Sequence, residues 1–289
     1  MRVMRGMKRR AFLHSAATVL GAATVHTPAQ AGQFTGKIRK SLKWNMAKKA
    51  AAGMPLVEAF KRLKACGFDG VEGSILTDVH EKNADEWIAA SKDSGLIIDG
   101  TVGGRSESLE AGIDLTQKLG GDSMLVVLAY PQDQPLQKTW DEAVARMKAA
   151  APHAQKQGVK LLVENVWATF LISAYDMARF IDEVGSPWVQ VHFDIGNMVR
   201  WGVAEHWAQV LGKRSQKLDV KEYDLDKAMN EGMRKGFDTP LGEGSINWAV
   251  VRKELAKIEF TGWAAAEVKA GDWDYLADVA KRMGKILDL

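Results

Sequence analysis

Two short apolar runs set the pattern of the chain, Gly158-Val-Lys-Leu-Leu-Val-Glu164-Asn165 and Trp188-Val-Gln-Val-His-Phe-Asp194-Ile-Gly-Asn197. Each is rich in Val and Leu, as expected of a strand buried on both faces, and each ends in a carboxylate with an amide close behind. Between them, Asp176 follows Ser173 by three residues, a variant of the capping box. Met177, Phe180, Ile181 and Val184 then recur at the spacing of one helix face. Strand, helix and strand form a βαβ unit, so Glu164 and Asp194 are expected at one rim of a parallel sheet.

The same alternation runs through the rest of the chain. Strands are predicted at 41–45, 71–73, 96–101 and 123–128. Helices are predicted at 56–63, 83–94 and 109–119, and from a Thr139/Glu142 capping box to 157. After Asn197 come a helix at 204–211, a more polar strand at 216–222 and a long connection ending in Leu241-Gly-Glu-Gly244. A helix at 246–258, a strand at 262–268 and a closing helix at 272–287 complete the chain. No linker rich in Pro or Ser divides it. Eight strands and eight helices predict one α/β domain over 41–289, a closed (β/α)8 barrel, which typically takes about 250 residues. An open doubly wound sheet is the alternative, but such sheets rarely need eight units. The long connection between strands seven and eight is expected to lie over the catalytic rim as a lid.

Residues 1–31 stand apart from this pattern. Lys8-Arg9-Arg10-Ala11-Phe12-Leu13 is a twin-arginine signature, followed by a weakly apolar run and an Ala29-Gln30-Ala31 cleavage site, with residues 32–40 as a connector. A transmembrane anchor would need about 20 apolar residues, so a cleaved signal, the twin-arginine export machinery as partner and a periplasmic location are expected, without stable membrane insertion. The segment holds five basic residues and no acid. Its removal leaves 34 basic against 36 acidic residues and turns a net charge of +3 into −2. Without a clustered basic face, no nucleic-acid partner is expected. The single cysteine, Cys66, excludes an internal disulfide and is expected in the core.

Polar residues that end the predicted strands are Asn45, Glu72, Thr101, Glu164, Asp194, Asp219 and Glu267. In a parallel barrel these ends form the active-site rim. Four carboxylates converging there would repel, and a divalent cation keeps them ionised and together.

Val163-Glu164-Asn165, Phe193-Asp194-Ile-Gly-Asn197, Leu-Gly-Glu-Gly at 241–244 and Ala266-Glu267-Val268 resemble the sugar phosphate isomerase/epimerase family, the xylose isomerase-like barrels, over nearly all of the mature chain. The resemblance implies a small carbohydrate substrate and one divalent metal ion, Mn²⁺, Mg²⁺ or Co²⁺. The ligands it implies are a strand-five Glu, a strand-six Asp, a strand-seven His and a strand-eight Glu. Glu164, Asp194 and Glu267 match. Where the family reads His-x-Lys-Asp, this chain reads Asp219-Val-Lys221-Glu222. With Asp219 as fourth ligand, the all-oxygen site favours Mn²⁺ or Mg²⁺, and Lys221, on the same strand face, is expected to offset the charge. The alternative is a subgroup that binds metal weakly or not at all.

The resemblance also implies proton transfer beside a carbonyl through an enediolate, with Glu164 and Glu267 as base and acid on opposite faces of the sugar. Asn197 stands where related epimerases carry a substrate-binding His. Asn197, His192, Lys221, Trp44 and Trp167 are the expected substrate contacts, with His192 read equally as a partner of a ligand or as core. A related branch cleaves DNA at abasic sites with several Zn²⁺ ions held by histidines, but the mature chain keeps only His80, His153, His192 and His206. Elimination from a 3-keto glycoside on the same site, and a non-catalytic sugar-binding barrel, are the remaining readings. A homo-oligomer is common among proteins this chain resembles.

Overall fold

Eight short strands, all parallel, run in the order β1-β8-β7-β6-β5-β4-β3-β2. They are β1 (Ile38–Leu42), β2 (Gly70–Ser74), β3 (Ile97–Gly104), β4 (Ser123–Val126), β5 (Lys160–Glu164), β6 (Val189–Asp194), β7 (Ser215–Val220) and β8 (Gly262–Ala266). A parallel bridge between Lys43 and Glu72 joins β1 to β2, so the sheet is a nearly closed (β/α)8 barrel. The computed structural model describes residues 31–105 and 108–289, and the expected twin-arginine signature lies outside the described residues. No helix among the described residues is long and apolar enough to cross a membrane.

The helices are α1 (Leu56–Cys66), α2 (Ala84–Ser94), α3 (Leu109–Leu119), α4 (Leu136–Gln157), α5 (Ala174–Val184), α6 (Ala204–Leu211), α7 (Leu225–Glu231), α8 (Trp248–Lys257) and α9 (Trp273–Leu287). Helix α5 starts as its sequence dictates: Ser173 Oγ accepts from the Asp176 N–H at 3.1 Å and donates to Asp176 Oδ2 at 2.7 Å. Its buried face, Met177, Phe180, Ile181 and Val184, is the one the spacing predicted. Phe180 meets Trp140 of α4 edge-on at 5.5 Å. A fully buried side chain of this kind contributes roughly 1.5–3 kcal/mol.

Three local expectations are corrected. Strand β1 starts at Ile38, inside the predicted connector, because Phe34 and Ile38 are buried and tie that segment to the core. Helix α4 opens at Pro135-Leu136 rather than at Thr139, whose hydroxyl lies inside the helix and accepts from Gln134 Nε2 at 2.8 Å. Cys66 is half-buried at the end of α1, with Sγ 3.5 Å from the Trp273 carbonyl.

The barrel interior is polar in its lower layer. Lys217 of β7 reaches Glu72 Oε1 and Asp99 Oδ2, each at 2.6 Å, and Ser41 Oγ donates to Asp99 Oδ2 at 3.0 Å. All four residues are buried. Asp99 reaches this layer because β3 carries an extra residue against β2: Val71 pairs with Ile98, but Glu72 pairs with Gly100. Such a bulge reverses the facing of everything beyond it. Thr101 therefore turns to the helix layer, where its hydroxyl meets Thr116 of α3 at 2.6 Å, and it does not reach the rim.

Candidate active site

Glu164 and Asp194 are the last residues of β5 and β6, Asp219 is the penultimate residue of β7, and Glu267 follows β8 directly. One oxygen from each lies within 4.8 Å of one oxygen from every other. The four acids named from sequence thus meet at one point.

Local geometry explains why this sequence holds them there. Asp194 Oδ1 accepts the backbone N–H groups of Gly196 at 2.9 Å and Asn197 at 2.8 Å, closing a tight turn at the end of β6. The Asn165 side chain joins β5 to β6 like an extra backbone rung. Its Oδ1 accepts from the Asp194 N–H at 2.7 Å and its Nδ2 donates to the Asp194 carbonyl at 2.8 Å. Asn197 Nδ2 donates to Glu164 Oε1 at 2.9 Å, and its Oδ1 accepts from Lys221 Nζ at 3.0 Å. Gly196 is required for that approach, since a Cβ there would lie 2.3 Å from Lys221 Cγ.

Two lysines neutralise the cluster. Lys221 Nζ lies 2.8 Å from Asp194 Oδ2 and 3.2 Å from Glu267 Oε2, as its strand face predicted. Lys43, which sequence reasoning missed, lies 2.9 Å from Asp219 Oδ2, 3.5 Å from Glu72 Oε2 and 3.9 Å from Glu267 Oε2. Its signal was present: Lys43 stands two residues after the inward-facing Ser41 and interrupts Leu42 and Trp44 with a charge.

The remaining candidates separate. His192 is fully buried, with Nε2 2.9 Å from Asp219 Oδ1, and it lines neither cavity at the rim, so it positions Asp219 and is not a substrate contact. Trp44 is likewise not a sugar-facing wall. The chain leaves β1 in a 3-10 turn that swings its ring into the core, edge-on to Phe60 and Trp87 at 5.7 Å each. Trp167, 43% exposed, and Asn197 line the larger cavity, and Asn45 lines the smaller. Glu222 anchors the β7–β8 connection. It accepts from the Gly242 N–H at 2.8 Å and from Trp248 Nε1 at 2.9 Å, which explains the Leu-Gly-Glu-Gly turn. That connection, with α7 and a 3-10 turn at Met233–Asp238, walls one side of the larger cavity through Phe237 to Leu241.

Burial and like charge set the protonation of the acids. Burial pushes the Asp194 carboxyl up to about 7, with Lys221 opposing and Glu267 reinforcing the shift. Burial, then Glu267 and Asp194, hold Glu164 well above the usual carboxylate range. Burial also acts to raise Asp219, but His192 and Lys43 outweigh it and hold that group well below its ordinary value.

The family follows from the whole length of the chain. A family model described as the xylose isomerase-like TIM barrel matches residues 60–286. The chain belongs to the xylose isomerase-like TIM barrel family. Within it, the chain is 25% identical over 229 residues to an Escherichia coli K12 protein provisionally named L-ribulose-5-phosphate 3-epimerase, covering 69% of this chain and 78% of that one. Among solved structures it resembles D-allulose 3-epimerase from Methylomonas sp. in complex with D-allulose, at 17% identity and TM-score 0.67, over 86% of this chain and 96% of that one. It also resembles 3-keto-D-glucoside 4-epimerase from E. coli, at 16% identity and TM-score 0.66, over 86% and 99% of the two chains. At these identities the structures share the fold.

The donors of this xylose isomerase-like site fit a hard divalent cation. The four converging ligand atoms are all oxygens, and Asp194 Oδ2, both Asp219 oxygens and Glu267 Oε2 are buried without a well-oriented hydrogen bond, their neighbours being lysine and histidine nitrogens at ion-pair distance. A pH dependence follows. Asp194, near 7 in the cation-free fold, and Glu164, also raised, bind protons that the unfolded chain releases near pH 4. Cation-free stability should therefore fall as pH rises from about 4 through about 7, and a cation that replaces those protons should bind more tightly above that range. Thermal melts with and without millimolar MnCl₂ should show a larger rise in midpoint at about pH 8 than at about pH 5. An equal rise at both would refute the linkage.

Proposed function

We propose that this protein is a sugar isomerase or epimerase that moves a proton at a carbon beside a carbonyl. The observation that carries the reading is the meeting of Glu164 and Glu267, from strands five and eight, beside Asp194 and Asp219 at a cavity-bearing rim. The epimerase names of its relatives support it.

Glu164, Asp194, Asp219 and Glu267 would hold a divalent ion, Mn²⁺ or Mg²⁺ by the oxygen donor set. Such an ion supplies Lewis acidity toward a substrate carbonyl. The chain's own groups do the rest. Glu164, its pKa raised by burial and fixed by Asn197, is suited to hold and release a proton at a substrate carbon. Glu267 is the more accessible partner, its side chain 28% exposed, and Lys221 orients it from 3.2 Å. The Lys43 and Lys221 ammonium groups are kept charged by the carboxylates around them despite burial, and both stand where negative charge on substrate oxygens develops.

The test is solvent deuterium exchange into ketoses and 3-keto glycosides with and without Mn²⁺. Wash-in with the sugar skeleton intact supports the proposal. Loss of the aglycone supports elimination in its place, and no exchange leaves a binder.

Export through the twin-arginine machinery to the periplasm belongs to the same reading, supported by Lys8-Arg9-Arg10-Ala11-Phe12-Leu13. Arg9→Lys with Arg10→Lys should retain the protein in the cytoplasm, as followed by fractionation. Undiminished export would refute it.

A further inference from the structure

Two cavities of different character open at the rim, and Glu267 lies in the wall of both. The inner one, about 210 Å³, is bounded by Lys43, Asn45, Glu72, Glu164 and Glu267 among others, a polar chamber below the size of pockets that enclose drug-sized ligands, about 300–1,000 Å³. The outer one, about 670 Å³, begins at Asn197, Lys221 and Glu267 and extends between the β7–β8 connection and the segment that follows β8. A single sugar at the acids leaves most of the outer chamber unused.

The outer walls define what would fill it. Trp167 follows β5, Phe237 comes from the β7–β8 connection, and Tyr275, 38% exposed, from α9. Asp238, Thr239 and Asp272 stand beside these rings. Aromatic faces next to hydroxyl and carboxylate groups match a pyranose ring, which has an apolar C–H face and a polar edge.

Charge argues against a phosphate there. Lys269 is paired with Asp238 at 2.5 Å, Arg282 with Asp278 at 2.5 Å and Glu243 at 2.6 Å, and Lys221 with Asp194 at 2.8 Å. Each of these cations is already matched by a carboxylate. A phosphate subsite needs cationic donors with charge to spare.

We propose that the outer cavity is a subsite for a second, uncharged glycosyl group, so that the substrate is a glycoside of at least two sugar units whose reacting ring occupies the inner chamber. The assignment of the reacting ring rests on the sugar isomerase/epimerase reading, while the subsite itself is tested by binding alone.

The experiment is calorimetric titration of the mature protein, in the presence of Mn²⁺, with 3-keto methyl glucosides, 3-keto disaccharides of α and β linkage, and L-ribulose 5-phosphate. At least one disaccharide should bind ten-fold or more tightly than the corresponding methyl glucoside. Trp167→Ala and Tyr275→Ala should each bring that ratio toward one, and Trp167→Phe should restore part of it. The proposal is overturned if no disaccharide exceeds its methyl glucoside, if both alanine variants leave the ratio intact, or if the phosphorylated sugar binds most tightly. Deuterium exchange on the same ligands separates the two readings. A disaccharide preference without exchange keeps the subsite and removes the catalytic reading, whereas exchange without the preference does the reverse.

Discussion

Glu267→Gln is expected to lower proton exchange on the active sugar by about 10²–10⁴-fold while leaving the fold intact. The substitution keeps the side chain's volume and removes its capacity to take a proton. Its structural cost is small because the Glu267 side chain is 28% exposed and its lysine neighbours keep other carboxylates: Lys221 retains Asp194 at 2.8 Å and Lys43 retains Asp219 at 2.9 Å. Exchange rates by NMR in D₂O, read beside a thermal melt, check both halves of the expectation. An unchanged rate would remove Glu267 from the acid–base pair. A large fall in melting midpoint would show instead that its charge holds the rim together.

Lys217→Ala should produce the largest loss of stability. The Lys217 ammonium sits between Glu72 and Asp99 in the closed lower layer of the barrel, at 2.6 Å from each, with burial opposing its charge and the two acids outweighing that opposition. Removing it leaves two buried carboxylates short of their shared partner, a change that typically costs about 3–5 kcal/mol. For a domain of this size that corresponds to a fall of roughly 10 °C in melting midpoint. The loss should shrink on acidification. Burial already raises Asp99 to about 6 even with Lys217 beside it. Without the lysine, both acids move higher and can shed their charge by taking up protons as pH falls. The variant should therefore lie nearer the parent at about pH 5 than at about pH 8. A melting midpoint within a degree or two of the parent at about pH 8 would mean that the ion cluster contributes little to stability.

The variants also show where sequence reading reaches its limit. Glu267 was legible because strand ends are marked locally, by an apolar run that stops at a charge. Lys217 and Lys43 sit inside such runs, and nothing adjacent in sequence names their partners. Asp99 is 118 residues from Lys217, and Lys43 is 176 residues from Asp219. Trp44 illustrates the same limit from the other side. An aromatic residue at a strand end looks like a sugar platform, but the turn after β1 rotates it into contact with Phe60 and Trp87.

The sequence by itself determined the eight βα units, the α5 cap at Ser173 and the four acids at the ends of strands five to eight, because periodicity, capping and strand termination act over a few residues. Tertiary structure alone decided the rest. The bulge at Asp99–Gly100 turned Asp99 inward and Thr101 outward, since one inserted residue reverses strand facing. Barrel closure brought Lys43 from strand one against acids of strands seven and eight, and it shaped the two chambers that meet at Glu267, because such contacts depend on distances across the barrel that local pattern does not encode.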